Sequence, residues 1–377
     1  MNRRFAALAA LAACGCSTAI EGRSSFVAPG SVLEVRWTRH LTSDNLLQRG
    51  ALEYKPQEFA AAAGDGERVF VGSSAGVFYA FDARDGGVLW SRSLEGGVAA
   101  RPRYRREDGV VFIGTKGGQL YALDAATGAV RWQYGIKGPI ESQPTWADGI
   151  VYFTSGENRV YAVDARSGAW KWQYDRESPD SFTIRGYAAP LVVGSRVYAG
   201  FSDGYLACLA AGTGDVLWAR SLAGEATRFM DVDSTPVVDG GTLYVTSYSG
   251  GVYALEPKDG SVKWRFDVEG AGTVRVRDGR VYFAAAKSGL HALDTDGHLL
   301  WRQALAAGGE LSPPLVVGNY VMVAASQAGV YVADAVSGRL YQFFSPGHGV
   351  TAEPTSDGRQ VYFMSNGGYF YALRFRS

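Results

Sequence analysis

What most limits the folds open to this chain is a unit that it repeats. VYALEPKDGSVKW (252–264), LYALDAATGAVRW (120–132) and VYAVDARSGAWKW (160–172) are variants of one pattern. An alternating strand ends at or near an acidic residue, a glycine turn follows, and a tryptophan stands four residues after the glycine. Gly86/Trp90, Gly128/Trp132, Gly168/Trp172, Gly214/Trp218, Gly260/Trp264 and Gly297/Trp301 keep that spacing. A seventh copy, Gly338 to Tyr341, loses the tryptophan and brings an aromatic residue one position early. Each turn is preceded by another hairpin, as in GIVYFTSGENRVYAV (149–163), and by a short apolar strand after a proline, as in Pro190-Leu191-Val192-Val193. The unit is therefore four short antiparallel strands, repeated about every 43 residues, within the range of propeller blades. Glycine, at 49 of 377 residues, is nearly twice its usual share of ~7%, as many tight turns require.

A four-stranded sheet with two apolar faces is not stable alone; packed face to face, such sheets bury both, and tryptophan offers a broad flat surface for the contact. The chain ends indicate how the array finishes. Trp37, in VLEVRWTRHL (32–41), belongs to an outer strand with no blade before it. The last unit, PTSDGRQVYFMSNGGYFYALRF (354–375), stops before any tryptophan strand. The expectation is an all-β, eight-bladed β-propeller over residues 32–377, its ring closed by the N-terminal strand joining the C-terminal blade, which hides the edges that a solenoid leaves open. Trp37, Trp90, Trp132, Trp172, Trp218, Trp264 and Trp301 are its expected blade-packing residues.

Residues 1–13 read as a signal peptide: Arg3 and Arg4 precede a short apolar run, too short to span a bilayer. Leu11-Ala12-Ala13-Cys14 resembles a bacterial lipobox, so Cys14 is the expected lipidation site and residues 14–31 a lipidated tether, with a reach of ~20 Å. Cys16 is the alternative site, and an ordinary cleaved signal the alternative reading. Gly15 follows Cys14 where an aspartate would signal inner-membrane retention; the expected address is the outer membrane, on its periplasmic face.

Lys plus Arg and Asp plus Glu both total 37, which argues against a nucleic-acid partner. The third cysteine, Cys208, stands in the small-residue slot of its strand and reads as a buried hydrophobe. His40, His291, His298 and His348 lack metal-ligand spacing, and the recurrent turn aspartates sit in separate blades, so neither a metal nor a cofactor is expected.

Loop lengths break the repeat. Trp90 to Pro102 and Trp132 to Pro144 are 12 residues each, whereas Trp172 to Pro190 and Trp218 to Pro236 are 18 each. Equivalent connections leave a propeller on one face, so two long neighbours form one surface feature, and long loops on a rigid scaffold are where binding resides. In SFTIRGYAAP (181–190), Phe182 and Ile184 alternate and face one way if extended, beside Arg185; the alternative is a loop that tucks both into its own blade. Arg185 and Asp231 each lie 13 residues after their blade's tryptophan, the same slot in adjacent blades, and are expected to pair on an exposed rim.

The motif Ala-x-Asp-x-x-(Thr/Ser)-Gly-x-x-x-Trp, complete at Ala122, Asp124, Thr127, Gly128 and Trp132, resembles the tryptophan-docking propellers of the quinoprotein family. Two groups share it: PQQ-dependent dehydrogenases, and the BamB lipoproteins of the outer-membrane β-barrel assembly (BAM) machinery. The dehydrogenase resemblance implies a vicinal cysteine pair and a calcium site, which residues 17–377, with one cysteine, do not supply. SFTIRGYAAP and RFMDVDSTPVV (228–238) are similar to two BamB segments, although Phe182 departs from the usual leucine. That resemblance implies a non-enzymatic scaffold lipoprotein without cofactor. It would bind the periplasmic POTRA domains of BamA through Phe182, Ile184, Arg185, Asp231 and Asp233, assist barrel insertion, and leave open a contact with unfolded outer-membrane proteins. A PQQ-dependent or other small-molecule oxidoreductase, or a propeller for another envelope partner, is the alternative function.

Overall fold

Period-two alternation of β-branched and aromatic residues with small or polar ones builds strands, and the glycine turns between them reverse the chain. In the computed structural model, which describes residues 31–41, 57–177, 188–224, 229–306 and 308–376, these strands form eight four-stranded antiparallel sheets, as the repeat predicts. Cys14, Cys16, Phe182, Ile184 and Arg185 lie outside the described residues. Seven sheets each take four consecutive strands: blade 1 within residues 63–93, blade 2 within 103–135, blade 3 within 145–175, blade 4 within 191–221, blade 5 within 237–266, blade 6 within 275–303 and blade 7 within 315–344. Blade 8 combines three C-terminal strands, Thr355–Ser356, Val361–Met364 and Tyr369–Phe375, with Leu33–His40 as its outer strand. Leu33 pairs with Phe375 and His40 with Tyr369, so chain start and chain end close the ring by backbone pairing. The first strand of each blade lines the axis; Ala63–Gly64 lies beside both Arg103–Arg105 and Thr355–Ser356, which completes the circle.

Each outer strand carries a one-residue bulge immediately before the tryptophan slot. In blade 2 the pairing passes from Leu123↔Val130 to Ala122↔Trp132 and leaves Arg131 unopposed; blades 1 and 3 to 8 repeat the step. The bulge aims the indole at the next blade. There its ring nitrogen donates to a turn carbonyl: Trp37 to Ala83 (2.9 Å), Trp90 to Ala125 (3.0 Å), Trp132 to Ala165 (3.0 Å), Trp172 to Ala211 (2.9 Å), Trp218 to Pro257 (3.2 Å) and Trp264 to Thr295 (2.7 Å). Trp301 docks on Gly338 without such a bond among the described residues. The spacing of glycine to tryptophan thus encodes two contacts of one motif, the glycine receiving the previous blade's ring and the tryptophan docking on the next blade.

The seam between blades 7 and 8 works differently. Gln342 occupies the tryptophan slot, four residues after Gly338. Its side-chain oxygen accepts the backbone N–H groups of Val32 (2.9 Å) and Leu33 (3.0 Å). An indole donor cannot cap two backbone donors, whereas an amide oxygen has two lone pairs for them. The missing tryptophan is therefore part of the closure.

Candidate functional site

Outer strands run from the glycine turns toward the connections between blades, so both long connections emerge on the face opposite those turns. Their ends are fixed by the scaffold. At the start of the first, Arg176 forms a two-pronged ion pair with Asp203 of blade 4 (2.6 Å) and lies over the Tyr205 ring, 4.2 Å from its centroid. Both side chains are largely covered, which gives the pair more weight than a surface bridge has. Asn158 reinforces the anchor: its side-chain oxygen accepts from Ser202 N (2.9 Å) and its amide donates to Glu177 O (3.3 Å). At the far end, Ala188 O accepts from Thr154 Oγ1 (2.8 Å), and Ala189 N donates to Thr235 Oγ1 (2.9 Å).

The second connection returns along a strap, residues 229–235, laid between the hairpins of blades 4 and 5. Val232 is buried and its N–H donates to Phe201 O (3.0 Å); Tyr248 N donates to Asp231 O (3.0 Å), and Ser247 Oγ to Met230 O (3.1 Å). Gly200 is required beneath it, because a Cβ there would collide with Val232 O. Phe229 adopts φ 52°, a left-handed conformation uncommon for a bulky residue, and keeps 43% of its surface exposed beside Tyr248, 6.0 Å between ring centroids. Strain that displays an aromatic ring on a loop is a functional signal. Loop length and spacing do not single out Phe229; its mark in the sequence is an apolar pair, Phe229-Met230, directly before Asp231.

Between this strap and the hairpins of blades 3 and 4 lies a small cleft of about 60 Å³, bordered by Glu141, Thr154, Asn158, Arg159, Ser202, Asp231 and Asp233. Asp231 is 1% exposed. This corrects the expectation of an exposed rim carboxylate: the strap carries Asp231 inward because Val232, next to it, is bolted to blade 4. Asp233 lies beside it in the same cleft. Burial pushes its carboxyl up to about 7, with the negative charges of Asp231 and, more weakly, Glu310 acting in the same direction. Such a group holds its proton more tightly folded than unfolded. Its cost to stability is absent below pH 4 and complete above pH 7, so stability falls as pH rises through that window. Asp233→Asn is expected to flatten this slope and to be more stable than the parent at pH 8. The gain should be a few kcal/mol at most, since a tenfold difference in proton affinity between folded and unfolded chains is worth ~1.4 kcal/mol. Urea denaturation of both proteins between pH 4 and 8 checks it; parallel profiles would remove Asp233 as the source.

The blade tryptophans stand where the repeat puts them, with Trp37, Trp132 and Trp172 buried. Cys208 is fully buried, and burial raises its thiol above the ordinary range, which leaves it unreactive. Among the described residues, no group of three or more His, Cys, Asp or Glu side chains has a metal-binding arrangement.

The family described as "Outer membrane protein assembly factor BamB" matches residues 34–107, 105–254 and 249–377. Among curated relatives, BamB of Legionella pneumophila is 27% identical over 199 residues, 51% of this chain and 52% of that protein. BamB of Yersinia pestis is 26% identical over 315 residues, 82% of this chain and 69% of that protein. With several of these relatives, the chain spans about half the length of the protein it matches. The crystal structure of BamB from Moraxella catarrhalis superposes with a TM-score of 0.77 at 23% identity, covering 91% of this chain and 100% of that one. Quinohemoprotein alcohol dehydrogenase from Comamonas testosteroni superposes with a TM-score of 0.68 at 15% identity, covering 91% and 76%. At those identities both show a shared fold and nothing more.

Proposed function

Because this chain belongs to the family of outer membrane protein assembly factor BamB, a family of assembly factors rather than enzymes, we propose that it is a scaffold lipoprotein of the outer-membrane β-barrel assembly machinery. It binds the periplasmic POTRA region of BamA through its two long connections and assists insertion of barrel proteins. The single observation that carries this reading is the pair of lengthened neighbouring connections, both anchored on one face of a rigid ring. Anchored ends reduce the ordering cost of association. Phe182, Ile184 and Arg185 form the apolar-and-cationic part of the contact. Asp231 acts from within, by shaping the strap that presents Phe229 and Asp233. A cationic group of the partner beside Asp233 favours its ionised form, so part of the recognition is electrostatic.

The tether fits this arrangement. Leu33–His40 runs like every outer strand, from the turn face toward the connection face: Val32 O accepts from Arg376 N (2.9 Å) at its start, and Leu41 N donates to Gly368 O (2.9 Å) beyond its end. A tether from Cys14 thus joins the ring at the face opposite the binding loops.

Affinity capture of the full-length protein from its own membranes, with the captured partners identified by mass spectrometry, tests the reading; recovery without BamA overturns it. Cys14→Ser is expected to abolish palmitate labelling, whereas Cys16→Ser leaves it intact. Labelling that survives the first change and vanishes with the second moves the anchor by two residues.

A further inference from the structure

A cluster of charged side chains faces the axis of the ring. Glu353, just before the inner strand of blade 8, is met from two sides. Arg275 of blade 6 donates to its Oε1 at 2.5 Å, and Arg101, leading into blade 2, approaches the same oxygen at 3.7 Å. Blades 2 and 6 each stand two places from blade 8, so the contacts reach inward across the channel. Arg103, two residues along from Arg101, has no ion pair and no side-chain hydrogen bond among the described residues, and Arg101 Nε is buried without a hydrogen-bond partner among them. Like charge is felt between the blades: Arg275 and Arg103 both work against the charge on Arg101, after burial, with Glu353 alone opposing them. For Arg103, burial and Arg105 act, and no carboxylate offsets them.

Arg101 and Arg275 share the single carboxylate of Glu353, and Arg103 follows Arg101 by two residues, so the cluster carries more positive than negative charge among the described residues; partly buried charge of this kind is costly unless something pairs with it. Water reaches the cluster, since the Arg101, Arg275 and Glu353 side chains remain 31%, 29% and 21% exposed although they face the axis. Guanidinium forks match the oxygen geometry of tetrahedral oxyanions. We propose that the axial channel is a binding site for a small tetrahedral dianion of the phosphate class, held between Arg101, Arg103 and Arg275 with Glu353 as the orienting and competing carboxylate. The site differs from the cleft at the long connections and does not depend on that cleft's partner.

The probe is inorganic phosphate, titrated calorimetrically into the full-length protein in detergent, with sodium chloride matched for ionic strength and sulfate as a second tetrahedral dianion. Saturable one-to-one binding of phosphate or sulfate, unmatched by chloride, is expected. Arg103→Ala should weaken it at least tenfold, and Glu353→Gln, which removes the competing charge, should strengthen it at least tenfold. If no saturable binding exceeds the chloride control, or if Arg103→Ala binds as the parent does, the site does not exist. Should Arg103→Ala fail to fold, Glu353→Gln decides: unchanged or weaker affinity overturns the proposal.

Discussion

Gly128→Ala is expected to lower unfolding stability by about 3–5 kcal/mol, far more than an exposed glycine substitution costs. Gly128 sits at φ +71°, where an L-residue is strained by roughly 1–2 kcal/mol. A Cβ there would also stand 2.6 Å from Cε3 and 2.8 Å from Cδ2 of Trp90, well inside van der Waals contact. The indole must then move, and with it the bond from Trp90 to Ala125 O and the packing of Phe70 and Phe78 against its ring. Displacing a well-packed core group costs about 1–3 kcal/mol, and the lost hydrogen bond about 1. Gly149 is the matched control: φ is +76°, but nothing lies within 4 Å of where its Cβ would be. Gly149→Ala should therefore carry the conformational cost alone. Urea midpoints for the two variants separate strain from collision. Equal losses would mean that tryptophan docking contributes little to cohesion between blades 1 and 2.

This pair of glycines also shows what is legible in the sequence. Both belong to turns, and composition alone cannot separate them; their distance to a tryptophan can, because one marks the face received by a neighbouring blade. The period, the recurrent tryptophans and the incomplete ends therefore suffice for the number of blades and for ring closure. Gln342 does not stand out, because its role emerges only when Val32 and Leu33, some 310 residues earlier, lie beside it. The long connections are legible from spacing alone, since a length anomaly survives without knowing the conformation. The burial of Asp231 is not. A charged residue in a connection reads as exposed, and what draws it inward is Val232 fixed above Gly200, a contact between segments 32 residues apart. The channel arginines escape notice for the same reason: Arg101, Arg275 and Glu353 come from three blades and share no motif.

The loop residues and the strap residue should therefore respond differently to substitution, which is the second large effect. Ile184→Asp is expected to weaken BamA POTRA binding at least a hundredfold, ~3 kcal/mol, because it places a charge where an apolar anchor would be desolvated. The melting temperature should stay within a degree or two, as for substitutions away from a core. Phe182→Ala and Arg185→Ala should each follow in smaller measure. Asp231→Ala is expected to lower both affinity and melting temperature, since it opens space under the strap next to Val232 and alters the setting of Asp233. The more conservative Asp231→Asn keeps the shape and removes the charge; the Asp233 carboxyl should then titrate lower, and the fall in stability between pH 4 and 7 should become shallower. If Arg185 acts through the strap, Arg185→Ala and Asp231→Asn together should lose less affinity than their separate losses summed. Calorimetric titration against the POTRA region, with melting curves for each variant, decides among these outcomes. A melting temperature that collapses with Ile184→Asp would place that side chain in the fold rather than at the interface, and full retention of affinity would remove the first long connection from the binding site.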